Sequence, residues 1–270
     1  MFSVNGWESK NMRENDLLSL LASSKLRRDI LIYLEDGPKT LSELRDHLGV
    51  GSSQLSTKLR ELLEYDLISA ERKTYTLTTQ GSIILVNYWP LANTVDLFDR
   101  LGNFWKAHDI ECIPAELRSR IGELHNSEYV KDDTEDMNRT LSMLLKIMTG
   151  AKQIYGVSSI YEDSIVGTLL SRAKQGIPVE MILARSVMDR MEREHNDVFK
   201  EFSGCTNYHH YATDEEIKTP LILTDTHLYF STYYSDGVFD TQSNLISDDP
   251  LALKWGRDLL EYYKARAVKK

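Results

Sequence analysis

The chain has 270 residues, with 32 Lys+Arg against 41 Asp+Glu and a formal net charge of −9. Hydrophobic residues make up 41% and charged residues 27%, which is typical of soluble globular proteins. The sequence lacks the roughly 20 consecutive apolar residues of a membrane-spanning helix. Met1–Lys10 has neither the basic start nor the apolar run of a secretory signal. We therefore expect a cytoplasmic protein without membrane contact, in which Cys112 and Cys205 are reduced thiols.

Residues Thr40 to Thr79 predict a helix, a tight turn, a second helix and a two-stranded wing, the layout of a winged helix-turn-helix. Thr40 and Glu43 fit a T-x-x-E capping box at the start of the first helix. Gly49-Val50-Gly51 favours a turn because glycine tolerates positive φ. The leucine spacing predicts a second helix from about Ser53 to Tyr65.

The face of this second helix opposite its leucines carries short hydrogen-bonding side chains and cations. Such residues suit the base edges and phosphates of double-stranded DNA. The expected DNA contacts, including two cations at the wing tip, are Ser52, Ser53, Gln54, Ser56, Thr57, Lys58, Arg60, Arg72 and Lys73. The alternative is an ordinary solvated helix face.

The segment from Leu17 to Leu85 resembles the archaeal ArsR-type winged-helix DNA-binding domains. ArsR-type metal sensors use cysteine and histidine pairs, whereas this segment has no cysteine and only His47, so that metal function is not expected. Residues 1–80 hold 11 Lys+Arg and 12 Asp+Glu, against 21 and 29 in residues 81–270. Because the first part is not basic, we expect a modest, salt-sensitive DNA affinity that needs a dimer.

A helical linker is predicted after the wing, with a kink or break at Pro90. Large apolar residues continue at helical spacing on both sides of this proline. Dimer contacts are therefore expected from Trp89, Leu91, Val95, Phe98, Leu101 and Trp105. Packing of this stripe within one subunit is an equally good alternative, because apolar helix faces serve both uses.

Strand and helix patterns alternate after Met137, which indicates α/β layering. Strands are predicted at Gln153–Ile160, Val179–Ala184, Tyr208–Ala212, Leu221–Thr224 and Leu228–Thr232. Helices are predicted from Met137 to Gly150 and at Ser164–Lys174, Met188–Phe202 and Pro250–Ala267. The expected fold class is α/β overall: a winged helix-turn-helix domain at 1–80, the linker at 81–136, and an α/β domain at 137–270 with a mixed, largely parallel sheet.

Several motifs of this second half resemble the effector domain of archaeal methanogenesis regulators. They are Ser158-Ser159, Gly176-Ile-Pro-Val, Thr224-Asp225, Gly237-Val-Phe-Asp240 and the ending Trp255-Gly-x-x-Leu-x-x-Tyr-Tyr263. The resemblance covers almost the whole chain and implies a transcription factor. It also implies an effector domain similar to the phospholipase-D-like fold, which TrmB-type regulators use for sensing.

Phospholipase-D chemistry needs the motif H-x-K-x4-D. His227 is followed by Tyr229 instead of lysine, and Tyr234 stands in place of the aspartate. We therefore expect no catalytic residues, no enzyme activity and no cofactor; a hydrolase with an unrecognised site is a weaker alternative. No metal site is expected from His209-His210, because adjacent strand residues point to opposite faces.

A sensing pocket is expected beyond the carboxyl ends of the strands. The predicted ligand contacts are Ser158, Ser159, Tyr161, Arg185, Tyr211, Asp225 and His227. Arg185 could clamp a carboxylate or phosphate, although a salt bridge is an even alternative. For Asp225 and His227, turn hydrogen bonds are the more common role.

The sequence thus predicts a homodimeric transcriptional regulator whose second half senses a small effector, with an anion as one candidate. The alternative is a second half that serves only as a protein-interaction or dimerisation module. Thermal stabilisation by a ligand would distinguish the two.

Overall fold

A computed structural model describes residues 16–269, so the expectation for Met1–Lys10 lies outside the described residues. Contacts divide the chain into two compact units, Met1–Ala92 and Asn93–Lys270. Within the described range, every helix is too short or too polar to cross a lipid bilayer.

The first unit has the element order of a winged helix-turn-helix. Its helices are α1 (Asp16–Ala22), α2 (Lys25–Glu35), α3 (Leu41–Leu48) and α4 (Ser52–Glu64), and its strands are β1 (Lys39–Thr40), β2 (Ile68–Glu71) and β3 (Thr74–Leu77). The strands form a sheet in the order β1-β3-β2, with both pairs antiparallel. Leucines and isoleucines of α2, α3 and α4 form the buried core of this unit.

The helix boundaries follow from the predicted local signals. Thr40 and Glu43 make the complete capping box, in which the Glu43 carboxylate accepts bonds from the Thr40 backbone and hydroxyl. These two bonds lower the pKa of Glu43. Gly49 ends α3 in the left-handed region, at φ 64°, where glycine carries no Cβ penalty.

A long helix, α5 (Thr79–Ala107), follows the wing. Of the kink or break expected at Pro90, the break is wrong: the helix continues through this proline and departs from helical geometry at Leu101 (φ −110°, ψ 19°). A proline removes one backbone bond and bends a helix, which does not oblige the helix to end. Near the start of α5, Gly81 lies so close to Leu67, the residue before β2, that an added Cβ would collide with the Leu67 carbonyl group.

The second unit is built on one eight-stranded sheet. Its strands are β4 (Glu128–Lys131), β5 (Ile154–Ser158), β6 (Val179–Ala184), β7 (Tyr208–Thr213), β8 (Leu221–Thr224), β9 (Leu228–Phe230), β10 (Ser243–Ser247) and β11 (Val268–Lys269). The helices are α6 (Ala115–Arg118), α7 (Arg139–Gly150), α8 (Asp163–Lys174), α9 (Arg185–Glu194), α10 (Asn196–Ser203) and α11 (Pro250–Lys264). The strand order is β11-β7-β6-β5-β8-β9-β10-β4.

The α/β class and the mixed sheet are confirmed, but the expectation that most pairs are parallel is wrong. Only β5–β6 and β6–β7 are parallel in the described sheet. From β8 onward every pair is antiparallel. The link from β8 to β9 is too short for a parallel crossover, which needs a dozen or more residues.

The single helix expected over Met188–Phe202 is instead two helices, α9 and α10. They meet at His195, whose φ of −131° and ψ of 39° are not helical. The ring of His195 stacks on Tyr161 at a centroid distance of 4.2 Å. The amphipathic pattern runs across the joint, because both helices turn apolar residues to the same core.

The two faces of the sheet carry separate cores. On one face α11 packs Trp255 and Tyr263 against the strands, and Trp255 Nε1 donates to the Leu117 carbonyl oxygen at 3.0 Å. On the other face α7, α8, α9 and α10 pack around Met148 and Met181. This second face holds the cavity described below.

Candidate functional sites

The outward face of α4 is open to solvent. Ser52, Ser53, Gln54, Ser56, Thr57 and Arg60 are exposed, as are Arg72 and Lys73 of the wing, whereas Lys58 is half-buried. Leu55, Leu59 and Leu62 on the opposite face are buried. All nine predicted DNA contacts therefore lie on α4 and the wing tip, and the apolar side of α4 is turned inward.

Lys58 is held by an ion-pair network that sequence reasoning missed. Its Nζ lies 3.1 Å from Glu61 Oε2, and the same oxygen accepts from Arg27 Nε at 2.6 Å. Hydrogen bonding from Arg27, followed by that from Lys58, lowers the pKa of Glu61. The network ties α4 to α2, and it neutralises part of the Lys58 charge.

Arg72 and Lys73 occupy the two central positions of the wing hairpin. Their φ angles are 47° and 74°, and Glu71 pairs with Thr74 across the turn. A two-residue turn with both φ values positive normally takes Asn-Gly. Two cationic side chains are thus presented at the wing tip in a backbone conformation that is unfavourable for them.

The six residues expected at a dimer interface fall into different environments. Leu91, Val95 and Phe98 are exposed, with 58%, 52% and 39% of their surface accessible, and Trp89 is half-buried. Leu101 and Trp105 are buried in the core of the second unit. Leu101 and Trp105 therefore pack within one subunit, which was the alternative to a dimer contact.

The seven predicted ligand contacts do not come together. Ser158 and Arg185 follow the carboxyl ends of the parallel strands β5 and β6. Asp225 and His227 lie at the opposite end of the strands, beside the start of β5, because β8 runs antiparallel to β5 and Thr224 pairs with Ile154. There Asp225 Oδ1 accepts from the Lys152 backbone at 2.8 Å, and His227 Nδ1 lies 2.9 Å from Thr226 Oγ1.

The remaining predicted contacts are also separated. Arg185 pairs with Asp214 through its Nε, 3.0 Å from Oδ1. Ser159 Oγ lies 2.8 Å from the Tyr233 hydroxyl. Tyr211 packs on the α11 face of the sheet, with the ammonium of Lys264 5.2 Å from its ring centroid. Only Ser158 and Tyr161 reach the cavity of this unit.

This cavity has a volume of about 710 Å³ and lies on the face of the sheet covered by α7, α8 and α9. Such a volume is in the range of small-molecule sites, ~300–1,000 Å³. Its wall is mostly apolar, with Leu144, Leu169 and Met181 among the lining residues. Polar atoms come from Thr140, Ser231, Asn244 and Asp240, which sequence reasoning did not assign to a ligand. Asn244 lies on β10, and Ser231 directly follows β9. The antiparallel pairing of these two strands brings the residues together.

Asp240, at one side of the cavity, is a buried carboxylate whose two oxygens both accept hydrogen bonds. Its Oδ2 lies 2.9 Å from His108 Nε2 and accepts from the Ser243 hydroxyl, while Oδ1 accepts from the backbone of Gln242 and Ser243. Burial raises the pKa of Asp240, but these hydrogen bonds outweigh it and hold the pKa at about 2. His108 Nδ1 also lies 2.6 Å from the Phe104 carbonyl oxygen, so both ring nitrogens are within hydrogen-bond distance of an oxygen atom.

Replacing Asp240 with Asn should destabilise the second unit by about 3–5 kcal/mol at pH 7, because the buried groups bonded to Asp240 would lose the carboxylate that holds them. A carboxylate with a lowered pKa stabilises the fold above its unfolded pKa of about 4 and loses this contribution as the pH falls towards 2. The difference between wild type and variant in denaturant unfolding should therefore be full at pH 5–7 and shrink below pH 4. Asp236→Asn, in the same loop but exposed, is the control. Equal stability of the D240N variant and wild type at pH 7 would contradict the assignment.

Two solved structures are similar to parts of the chain. The archaeal chromatin protein TrmBL2, whose structure is described as showing a novel mode of DNA binding, is 12% identical with a TM-score of 0.42, covering 93% of this chain and 96% of that chain. Quinone-bound YodB from B. subtilis is 25% identical with a TM-score of 0.28, covering 30% of this chain and 91% of that chain. At these TM-scores neither likeness carries a structural conclusion.

Two family models match the sequence. Residues 15–95 match the N-terminal domain of the methanogenesis regulatory protein FilR1, and residues 137–266 match its middle domain. The methanogenesis regulatory protein FilR1 of Methanothrix harundinacea (strain 6Ac) is 26% identical in an alignment of 265 positions that covers 95% of this chain and 59% of that protein. The chain thus spans about three fifths of the length of this curated relative. These matches support the resemblance to methanogenesis regulators over the two matched segments.

Proposed function

We propose that this chain is a DNA-binding transcriptional regulator, without enzyme activity, whose second unit binds a small effector. The observation that carries the DNA-binding part is the composition of the open face of α4. This face combines hydroxyl and amide side chains with Arg60, and the wing tip adds two further cations. The relationship to a methanogenesis regulatory protein supports the same conclusion.

A helix of this kind can read the major groove because its short side chains reach base edges while cations bind phosphates. Ser52, Ser53 and Gln54 form the first turn of α4, the end that enters the groove in such motifs. Arg60 makes no ion pair within the described residues and is free for phosphate. Lys58, by contrast, already shares Glu61 with Arg27.

The cavity favours effector sensing over a pure interaction module. An apolar cavity of about 710 Å³ leaves part of the unit unpacked, so it fits a unit that gains stability when the space is filled. An effector that prefers one arrangement of the protein would shift its population towards that arrangement and change DNA affinity.

Homodimerisation is also part of the proposal. Leu91, Val95 and Phe98 expose large apolar surface on α5, and operators are commonly read by two-fold dimers. Arg60 and the wing tip of a single chain offer few phosphate contacts, so a second copy would be needed for useful affinity.

Replacing Arg60 with Ala should weaken binding to all duplexes and reduce the slope of log K against log salt by about one unit, because one phosphate contact is lost. Lys58→Ala should have a smaller effect, since Glu61 already neutralises part of its charge. The measurement is electrophoretic mobility or fluorescence anisotropy with the DNA upstream of the chain's own gene, at several salt concentrations. The control is Lys200→Ala, which removes one positive charge from an exposed position of the second unit. An Arg60→Ala slope equal to that of Lys200→Ala would refute this contact.

Changing Arg72-Lys73 to Asn-Gly should raise the stability of the first unit by about 1–3 kcal/mol, because the positive φ values become favourable. The same change should weaken DNA binding by removing two cations. The paired control is Gln-Gln at these positions, which removes the charges but keeps the backbone penalty. It should lower DNA affinity equally without raising the melting temperature. Full DNA affinity in both variants would show that the wing cations do not contact DNA.

Replacing Leu91 with Glu should shift the protein towards monomer in sedimentation velocity at micromolar concentration, because a charge would be buried between subunits. Asn103→Glu, at an exposed position of the same helix, should leave the sedimentation coefficient unchanged. A wild-type protein that is monomeric under these conditions would exclude the proposed interface.

A further inference from the structure

We infer that the cavity of the second unit binds an elongated, uncharged amphiphile rather than the anion expected from the sequence. The inference rests on the proposed effector role and specifies the chemistry of the ligand. It is carried by the charges of the wall, by the position of its polar atoms and by the extent of the cavity across the sheet.

The wall offers no cation to an anionic group. Among the described lining residues there is no Lys, Arg or His, whereas four are acids: Asp132, Asp133, Glu162 and Asp240. The guanidinium that was expected to clamp an anion, Arg185, is outside the cavity and paired with Asp214. An anion inside would face carboxylates at low dielectric, where like charges repel strongly.

The helix ends that could hold an anion are already filled by the protein itself. Asp132 Oδ1 accepts from the backbone and hydroxyl of Thr140 in the first turn of α7, at 2.8 and 2.9 Å. Glu162 Oε2 accepts from the Ile165 backbone at the start of α8, at 2.7 Å. Since helix N-termini attract negative groups, these carboxylates occupy the positions that a phosphate or carboxylate ligand would need.

A cationic ligand is disfavoured as well, because the carboxylates of the wall already accept hydrogen bonds or form ion pairs within the protein. Both oxygens of Asp240 accept bonds from His108, Ser243 and the loop backbone. Asp133 lies 2.8 Å from Arg139 Nη2. The wall therefore favours a ligand whose polar group exchanges neutral hydrogen bonds.

The polar group has a defined partner. Ser231 and Asn244 are buried side chains on the cavity face, with the Ser231 hydroxyl donating to Asn244 Oδ1. Asn244 lines the cavity, and an amide N–H there can donate to a hydroxyl or ether oxygen of the ligand.

The apolar part extends away from this pair. Asn244 is on β10 and Met181 is on β6, and both line the cavity. These strands are four places apart in the sheet, which corresponds to roughly 19 Å at about 4.8 Å per strand. The far end, around Met181, Leu183 and Phe202, is apolar. The shape thus fits an alkyl chain or a similar extended hydrocarbon with one neutral polar end.

The test compares three ten-carbon probes of equal chain length: 1-decanol, decanoate and decylammonium, below their micellar concentrations at pH 7. Binding is followed by displacement of the neutral fluorophore Nile red from the full chain, without DNA. Decanol should compete at least ten-fold more tightly than either charged probe. Shortening the alcohol should weaken binding by about four-fold per methylene, the ratio expected for burial of apolar surface.

Ile165→Trp fills the cavity from α8 and should abolish displacement. Leu251→Trp, on α11 at an exposed position, should leave it intact. Tightest binding by decanoate or by decylammonium would overturn the assignment of an uncharged ligand. Failure of every probe, or equal binding by the I165W variant, would overturn the cavity as the site. Because DNA is absent, these outcomes are independent of whether α4 binds a duplex, which the Arg60 experiment measures separately.

Discussion

The second unit depends on one buried carboxylate. Asp240 joins residues 132 positions apart in the chain, because His108 directly follows α5 and Asp240 precedes β10. Its oxygens also accept bonds from the loop that borders the cavity. A buried charge with this many partners cannot shift without leaving a donor unpaired. The cavity wall and the residue that ends α5 are therefore held in one fixed arrangement, and an occupant that moves the loop must also act on His108.

Local signals were sufficient for much of the fold. The capping box of Thr40, the left-handed turn at Gly49 and the outward face of α4 depend on neighbours in sequence, and the structure has them where the sequence predicts them. Strand β6 also has the predicted bounds. The direction of β8 and the existence of β10 were not predictable in this way. β10 reads Ser-Asn-Leu-Ile-Ser and is buried throughout, because its polar side chains bond to Asp240, Ser231 and the Asp249 backbone within the protein.

The two candidate sites differ in predictability for the same reason. The face of α4 needs only helical periodicity, so the seven residues predicted there lie on this helix opposite its buried leucines. The ligand site was placed by a rule for parallel strands, and that rule fails where the sheet becomes antiparallel after β5. The cavity is instead assembled from strands and loops far apart in the chain, with polar atoms in segments such as β10 that show no alternating pattern. The lack of cations in the cavity wall could not be recognised from any single segment, because it is a property of the wall that these segments form together.

The ends of the eight-stranded sheet have a consequence for behaviour at high concentration. One end is β4, only four residues long with the charged Glu128 and Lys131 exposed, and the other is the two-residue β11, which includes Lys269. Short, charged outer strands are poor templates for the addition of foreign strands. The sheet thus carries its own protection against aggregation, which matters for a unit whose interior strands are rich in leucine, isoleucine and valine.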